Sequence, residues 1–146
     1  MNEKLLATLD AEGQIRRLVV RYGEAVALKD AERARELFAQ DAVVCIADLP
    51  ERVGRDAIFL GIANTLSAFR WLDQKCDSGL IEVDGDTANA RYQVIECNES
   101  AEDGEVAVIA GMYEDDYVRR GGTWYFHRRR FTLRTRAVLR SPGTQL

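Results

Sequence analysis

The sequence contains few cysteines, and their spacing excludes two kinds of protein. Cys45, Cys76 and Cys97 are unevenly spaced and form no CxxC pair. Three cysteines at such spacings support neither a disulfide framework nor a zinc site, so we expect neither of them. The pattern instead fits a protein of the reducing cytoplasm without a metal site.

The sequence also lacks a basic excess and any long apolar run. Its 20 lysines and arginines against 24 aspartates and glutamates give a net charge of −4 at pH 7. A negative protein has no general attraction to nucleic acid or anionic membranes. Arginines do cluster at residues 128–130, which is typical of the exposed face of an antiparallel strand. No apolar run approaches membrane-spanning length, and the first residues show no signal-peptide arrangement. We therefore expect neither a nucleic-acid nor a membrane partner.

The N-terminal part of the chain is predicted to be mostly helical. One buried stripe recurs at three-and-four spacing and comprises Ile15, Leu18, Val19, Tyr22 and Val26. After a break at residues 29–30, a second helix is predicted over 30–39, with Asp30 as its cap. An apolar strand follows at 42–46, and a third helix begins near Gly54 and places Phe69 inward.

Beyond Leu80 the periodicity changes from helical to alternating. A hairpin is predicted over 80–97, with its turn at 84–86, followed by strands at 106–119 and 124–136. We expect one domain over residues 1–146, with 137–146 as a loose tail. Helices followed by a long meander indicate an α+β fold, with three helices packed on one face of a strongly curved, mostly antiparallel sheet of about six strands.

The order of these motifs resembles the SnoaL-like branch of the nuclear-transport-factor-2-like superfamily, which contains polyketide cyclases and dehydratases. The residues that carry the resemblance are Ile15, Leu18 and Tyr22, followed by 37–42, 83–88, 111–115 and 122–124. The resemblance spans nearly the whole chain. It implies a cone-shaped α+β barrel whose interior holds a small, mostly apolar molecule.

Members of this superfamily that eliminate or dehydrate commonly pair an aspartate late in the first helix with a histidine at the start of the central strands. In the family's register these positions fall on Ala27 and near Gln74. The only histidine of the chain is His127, on the last predicted strand. Both partners are therefore missing, which argues against the family's His–Asp elimination mechanism.

Other polar side chains could still form a site. Asp115 is predicted to share an inward face with Tyr113 and Tyr117, either as a proton-transfer group or as a strand carboxylate paired with an arginine. Tyr22 and Gln74 join Asp115 as the candidate catalytic residues, because they could polarise a carbonyl group. The candidate ligand-binding residues are Trp71, Tyr92, Tyr113, His127 and Arg129. For His127 an idle surface position is the more common alternative, and for the tyrosines a position in the core.

Two classes of function remain open. The first is a cofactor-free cyclase, isomerase or dehydratase that acts on a small hydrophobic molecule bearing an oxygen. The second is a non-catalytic ligand-binding or assembly domain that has lost the dyad. A subunit resembling the small subunit of ring-hydroxylating dioxygenases is a third possibility, but no partner-specific motif supports it. Apolar residues on both faces of the strands also predict a homodimer through the convex sheet surface.

Overall fold

The computed structural model describes residues 2–76 and 79–142. The helices are α1 (Glu3–Ala27), α2 (Ala31–Arg35) and α3 (Arg55–Ser67). The strands are β1 (Phe38–Ile46), β2 (Arg52–Val53), β3 (Phe69–Cys76), β4 (Ile81–Asp84), β5 (Thr87–Ser100), β6 (Val106–Arg120) and β7 (Thr123–Arg140). The α+β prediction is confirmed.

The strands form one curved, unclosed sheet in the order β2-β1-β7-β6-β5-β3, with β4 paired to β5. Among the strands of the described residues, β1 and β7 are the one parallel pair, and the other pairs are antiparallel. Register shifts interrupt three places of the β6–β7 ladder. Such irregularities bend a strand locally, which helps the two longest strands to curve around the helices.

The helices begin where local caps satisfy their first backbone amides. The Asn2 side chain accepts a hydrogen bond from the Lys4 amide at 2.8 Å, so α1 starts well before the predicted stripe. Asp30 caps α2 as expected, with its Oδ1 3.0 Å from the Arg33 amide nitrogen. Within the described residues, no helix is long and apolar enough to cross a membrane.

The predicted ends of the second and third helices are wrong, both at transitions from helix to strand. The second helix ends at Arg35, because Phe38 pairs with Phe126 of β7 and belongs to β1. Phe69 likewise begins β3 instead of ending α3. In both cases, sheet pairing of an apolar aromatic residue overrides the helical pattern of the preceding residues.

The last strand is longer than predicted. Ala137 and Val138 pair with Val108 and Ala107 of β6, so residues 137–140 are strand and not a loose tail. Residues 143–146 lie outside the described part of the chain, and their predicted looseness stays a prediction.

The hydrophobic core lies between the helices and the concave face of the sheet. The stripe of α1 is buried there, and Trp124 and Phe126 of β7 are almost fully buried, as expected. The Phe126 ring packs 5.1 Å from the Phe38 ring and 5.9 Å from the Tyr22 ring, centroid to centroid. This aromatic cluster joins α1 to β1 and β7.

Candidate functional site

A cavity of about 290 Å³ lies between α1, α3 and the concave face of the sheet. Most of its wall is aliphatic or aromatic, and residues from both helices and from six strands line it. Its polar wall residues are Tyr22, Arg52, Thr65, Gln74, Glu96, Tyr113 and Arg129. A mostly apolar cavity with a few convergent polar groups is typical of a small-molecule site.

A buried ion pair joins β6 and β7, and only its arginine lines the cavity. Arg129 Nε donates to Asp115 Oδ1 at 3.0 Å, and both side chains are excluded from water. The Tyr117 hydroxyl donates to Asp115 Oδ2 at 2.8 Å. Both carboxylate oxygens of Asp115 are therefore engaged, and Asp115 does not line the cavity.

The Arg129 guanidinium stacks against three aromatic rings. Its Cζ lies 3.5 Å from the centroid of Tyr113, 4.6 Å from that of Tyr22 and 4.5 Å from that of Phe126. Rings at these distances stabilise a cation that has lost its water. Among the described residues, Nη1 and Nη2 of Arg129 have no hydrogen-bond partner, although both are buried. Buried donors without a partner are rare and costly, so these two nitrogens call for an explanation.

A second polar cluster joins β3, β5 and β6. Gln74 Nε2 donates to Glu96 Oε2 at 2.9 Å and lies 3.2 Å from the Tyr113 hydroxyl oxygen. Asn98 Nδ2 donates to the other oxygen of Glu96 at 2.9 Å. Two amides thus orient the Glu96 carboxylate, which lines the cavity. A carboxylate retains further lone pairs after accepting two hydrogen bonds, so Glu96 can still accept a proton.

Burial sets the protonation of the phenols around the cavity. Loss of water raises the pKa of Tyr22 and Tyr113, although the positive charge of Arg129 opposes the rise. Both hydroxyls therefore stay protonated at neutral pH and can donate hydrogen bonds. For Arg129, burial lowers the pKa, but Asp115 and the neighbouring tyrosines raise it above the ordinary value. The guanidinium is therefore a permanent cation.

The structure brings four of the predicted residues together on the cavity wall: Tyr22, Gln74, Tyr113 and Arg129. Tyr92 is buried on the inward face of β5, but it does not line the cavity. Trp71 points away from the cavity and donates its indole N–H to Glu99 at 2.7 Å. His127 is partly exposed at the surface, with Nε2 3.4 Å from Asp41 Oδ2, which is the surface position weighed as its alternative.

The position that the resemblance assigns to the family's aspartate lies at the end of the first helix. Ala27 is the last residue of α1, is exposed and does not line the cavity. The residues that α1 places on the wall are Tyr22 and Val26, at the i, i+4 spacing of one helix face. Neither is a carboxylate, so the conclusion that α1 supplies none to the cavity stands.

Glu96 is the residue that the sequence analysis missed. Its signal is the alternation of β5, in which Ala88, Ala90, Tyr92 and Val94 face inward. Continuing that period-two series reaches Glu96 and Asn98. Polar residues at inward positions of a strand need buried partners and therefore mark a site.

Metal binding finds little support in the side-chain arrangement. Across residues 2–76 and 79–142, histidine, cysteine, aspartate and glutamate side chains form no group of three that could hold an ion. The polar chemistry at the wall comes from hydrogen-bond donors, from the two cations Arg52 and Arg129, and from the carboxylate of Glu96.

Known structures share this fold. A putative scytalone dehydratase from Novosphingobium aromaticivorans DSM 12444 is 22% identical, with a TM-score of 0.84 over 95% of this chain and 97% of that chain. A type 2 hexachlorocyclohexane dehydrochlorinase, LinA, is 20% identical, with a TM-score of 0.87 over 97% and 95%. An NTF2-like protein with a cystatin-like fold from N. aromaticivorans is 26% identical, with a TM-score of 0.74 over 89% and 86%.

Sequence comparison agrees with the structural one. A search of curated proteins gives no match. The family model described as a SnoaL-like domain matches residues 7–130, which is most of the chain. The chain therefore belongs to the SnoaL-like domain family.

Proposed function

We propose that the cavity binds a small, largely apolar molecule with a carbonyl-type oxygen and acts on it as a cofactor-free lyase or isomerase. The observation that carries the proposal is Arg129, which lines the cavity and whose two buried Nη donors have no partner in the described part of the chain. A ligand oxygen would satisfy them. An engineered cavity of about 150 Å³ holds one benzene, so 290 Å³ suits a molecule of about two rings.

The polar wall residues divide into donors and one acceptor. Arg129 and the hydroxyls of Tyr22 and Tyr113 would donate to the ligand oxygen. Glu96 would take a proton from the carbon next to the carbonyl, and the electrons of that C–H bond would move onto the oxygen as an enolate. The fixed cation of Arg129 favours this negative charge because little water competes in the cavity. An isomerase then returns the proton to another carbon, whereas a lyase expels a leaving group.

Gln74 and Asn98 would act as positioning residues. Each holds one oxygen of Glu96 at 2.9 Å, so the carboxylate is oriented before any ligand binds. Pre-orientation of this kind lowers the barrier because the reacting groups need not be ordered during the reaction. The names of the dehydratase and dehydrochlorinase with similar folds are consistent with lyase chemistry.

The second candidate function is ligand binding without catalysis. It is favoured by the wall of α1, which offers Tyr22 and Val26 and no carboxylate, and by the exposed position of His127. The two candidates share the ligand class and differ in whether Glu96 moves a proton.

Hydrogen–deuterium exchange of a small ketone distinguishes them. The probe is 2-tetralone in D2O, with binding followed by calorimetry and loss of the α-proton signals followed by NMR. The wild type should bind the ketone and accelerate exchange, and Glu96→Gln should keep binding but lose about 100-fold or more of the exchange rate. Glu114→Gln, on the exposed face of β6, is the matched control and should exchange like the wild type.

The other outcomes are equally informative. Binding without accelerated exchange in the wild type would favour the non-catalytic candidate. Equal exchange by the wild type and Glu96→Gln would remove Glu96 from the mechanism. Absence of binding would contradict the proposed ligand class.

A further inference from the structure

The mouth of the cavity carries a positive charge that the proposed chemistry does not use. The exposed wall residues Leu49 and Thr65 mark the opening, and Arg52 of the edge strand β2 lies on the same wall. The Arg52 side chain packs over α3 at Gly61. Three strands separate β2 from β5, which carries Glu96.

Arg52 differs from the other arginines of similar burial. Among the described residues it has no hydrogen bond from its side chain and no ion pair, although it is partly buried. Each of the other partly buried arginines of the described chain donates to an oxygen: these are Arg16, Arg35, Arg55, Arg119, Arg128 and Arg140. A guanidinium has five donors and its charge favours an anionic partner, so Arg52 is available for one.

The nearest acidic neighbour in the sequence is already engaged. Glu51 Oε1 accepts from Arg128 at 3.2 Å and from the Cys45 thiol at 3.3 Å. Inside the cavity, Asp115 pairs with Arg129, and Glu96 is held by Gln74 and Asn98. Arg52 is thus the cation on the cavity wall whose charge has no counter-ion among the described residues.

Gly61 is the reason that the guanidinium fits where it does. A Cβ atom at this buried position would lie 2.4 Å from Cζ of Arg52. The glycine therefore leaves room for Arg52 to lie flat on α3 while it faces the cavity. A helix interior normally disfavours glycine by about 1 kcal/mol relative to alanine, so its presence calls for a local reason such as this one.

We propose that Arg52, seated on Gly61, forms an anion-binding subsite at the cavity mouth. The ligand is then amphiphilic: its apolar body and oxygen enter the cavity, and a carboxylate or similar single anionic group remains at the mouth on Arg52. This inference rests on the proposed function, since it describes the outer end of the same ligand.

A matched pair of fluorescent dyes tests the subsite. 8-Anilinonaphthalene-1-sulfonate and N-phenyl-1-naphthylamine share one apolar skeleton, but only the first carries an anionic group. The wild type should bind the sulfonate about tenfold more tightly, which corresponds to one charge-assisted hydrogen-bonding contact. Arg52→Gln should bring the affinity ratio close to one by weakening the sulfonate alone. Gly61→Ala, which displaces the guanidinium, should lower the ratio in the same direction.

Arg134→Gln is the control for binding outside the cavity. Arg134 is exposed on the outer face of β7, close to the exposed side chain of Ile95, where an anionic dye could also bind. The control should leave the ratio unchanged. A ratio that changes in Arg134→Gln but not in Arg52→Gln would overturn the subsite, as would equal affinities in the wild type. If neither dye binds, the apolar cavity of the proposed function fails together with the subsite.

Discussion

Arg129 and Asp115 form an ion pair that is excluded from water. The pair contributes to stability only while both charges are present. Removing one partner of a buried ion pair typically costs 3–5 kcal/mol, because the other charge remains buried without compensation. From the sequence, Asp115 was predicted to be either a proton-transfer group or a strand carboxylate paired with an arginine, and the structure shows the ion pair with Arg129. The structure engages both of its oxygens behind Arg129, so proton transfer is assigned to Glu96 in our proposal.

The first prediction concerns this pair. Asp115→Asn and Arg129→Gln should each lower the free energy of unfolding by about 3 kcal/mol or more, measured by urea denaturation. The double variant should lose less than the sum of the two single losses, because it leaves no buried charge. Additive losses would contradict a direct interaction.

Four tyrosines respond to burial in the same way. Loss of water raises the pKa of Tyr22, Tyr92, Tyr113 and Tyr117 above the ordinary value of 10.0. A raised pKa in the folded state means that the neutral phenols favour folding below about pH 10. This contribution is lost as the pH rises further.

The second prediction follows from that sign. In an alkaline titration, phenolate absorbance from these four tyrosines should appear together with the loss of native circular dichroism. Reversible ionisation of all five tyrosines near pH 10, with the native spectrum intact, would show that the tyrosines are accessible to water.

At the scale of whole elements, periodic sequence patterns predicted which side chains are buried. They did not predict where a helix ends and the next strand begins. The stripe of α1 and the alternation of β5 were readable because each repeats over many residues. The end of α2 was not, since Phe38 is set by its pairing with Phe126, 88 residues later in the chain. Contacts of that range leave no trace in the local sequence.

Two buried or partly buried glycines provide a third prediction. At Gly111 of β6, a Cβ would lie 2.5 Å from the Thr132 carbonyl oxygen and 2.6 Å from the Phe131 ring. The backbone cannot move aside as a flexible side chain can, so the added methyl group would clash. Gly111→Ala should therefore destabilise the protein by about 1–3 kcal/mol. Gly61→Ala meets only the tip of Arg52 and should be neutral or stabilising by up to about 1 kcal/mol. Thermal unfolding of both variants checks the contrast; an equal loss in both would contradict it.

At the scale of the whole molecule, the order of motifs predicted the family and fold, whereas the site was only half predicted. Tyr22, Gln74, Tyr113 and Arg129 meet on one wall although they come from four different elements. The alternation along a strand indicates on which face of the sheet a side chain lies, but not whether that side chain lines the cavity. For this reason Asp115 and Tyr92 were assigned to the cavity. The homodimer stays a prediction; exposed Ile95, Leu133 and Val138 are consistent with it.

The most direct test of the central claim is a crystal structure of the protein with bound 2-tetralone. Our account predicts that the ketone oxygen lies within about 2.7–3.2 Å of an Arg129 Nη atom, which is ordinary hydrogen-bond distance. The carbon next to the carbonyl should lie within about 3.5 Å of a Glu96 carboxylate oxygen, as a near-attack geometry requires. A ketone bound outside this cavity, or bound inside it with its oxygen turned away from Arg129, would contradict the account.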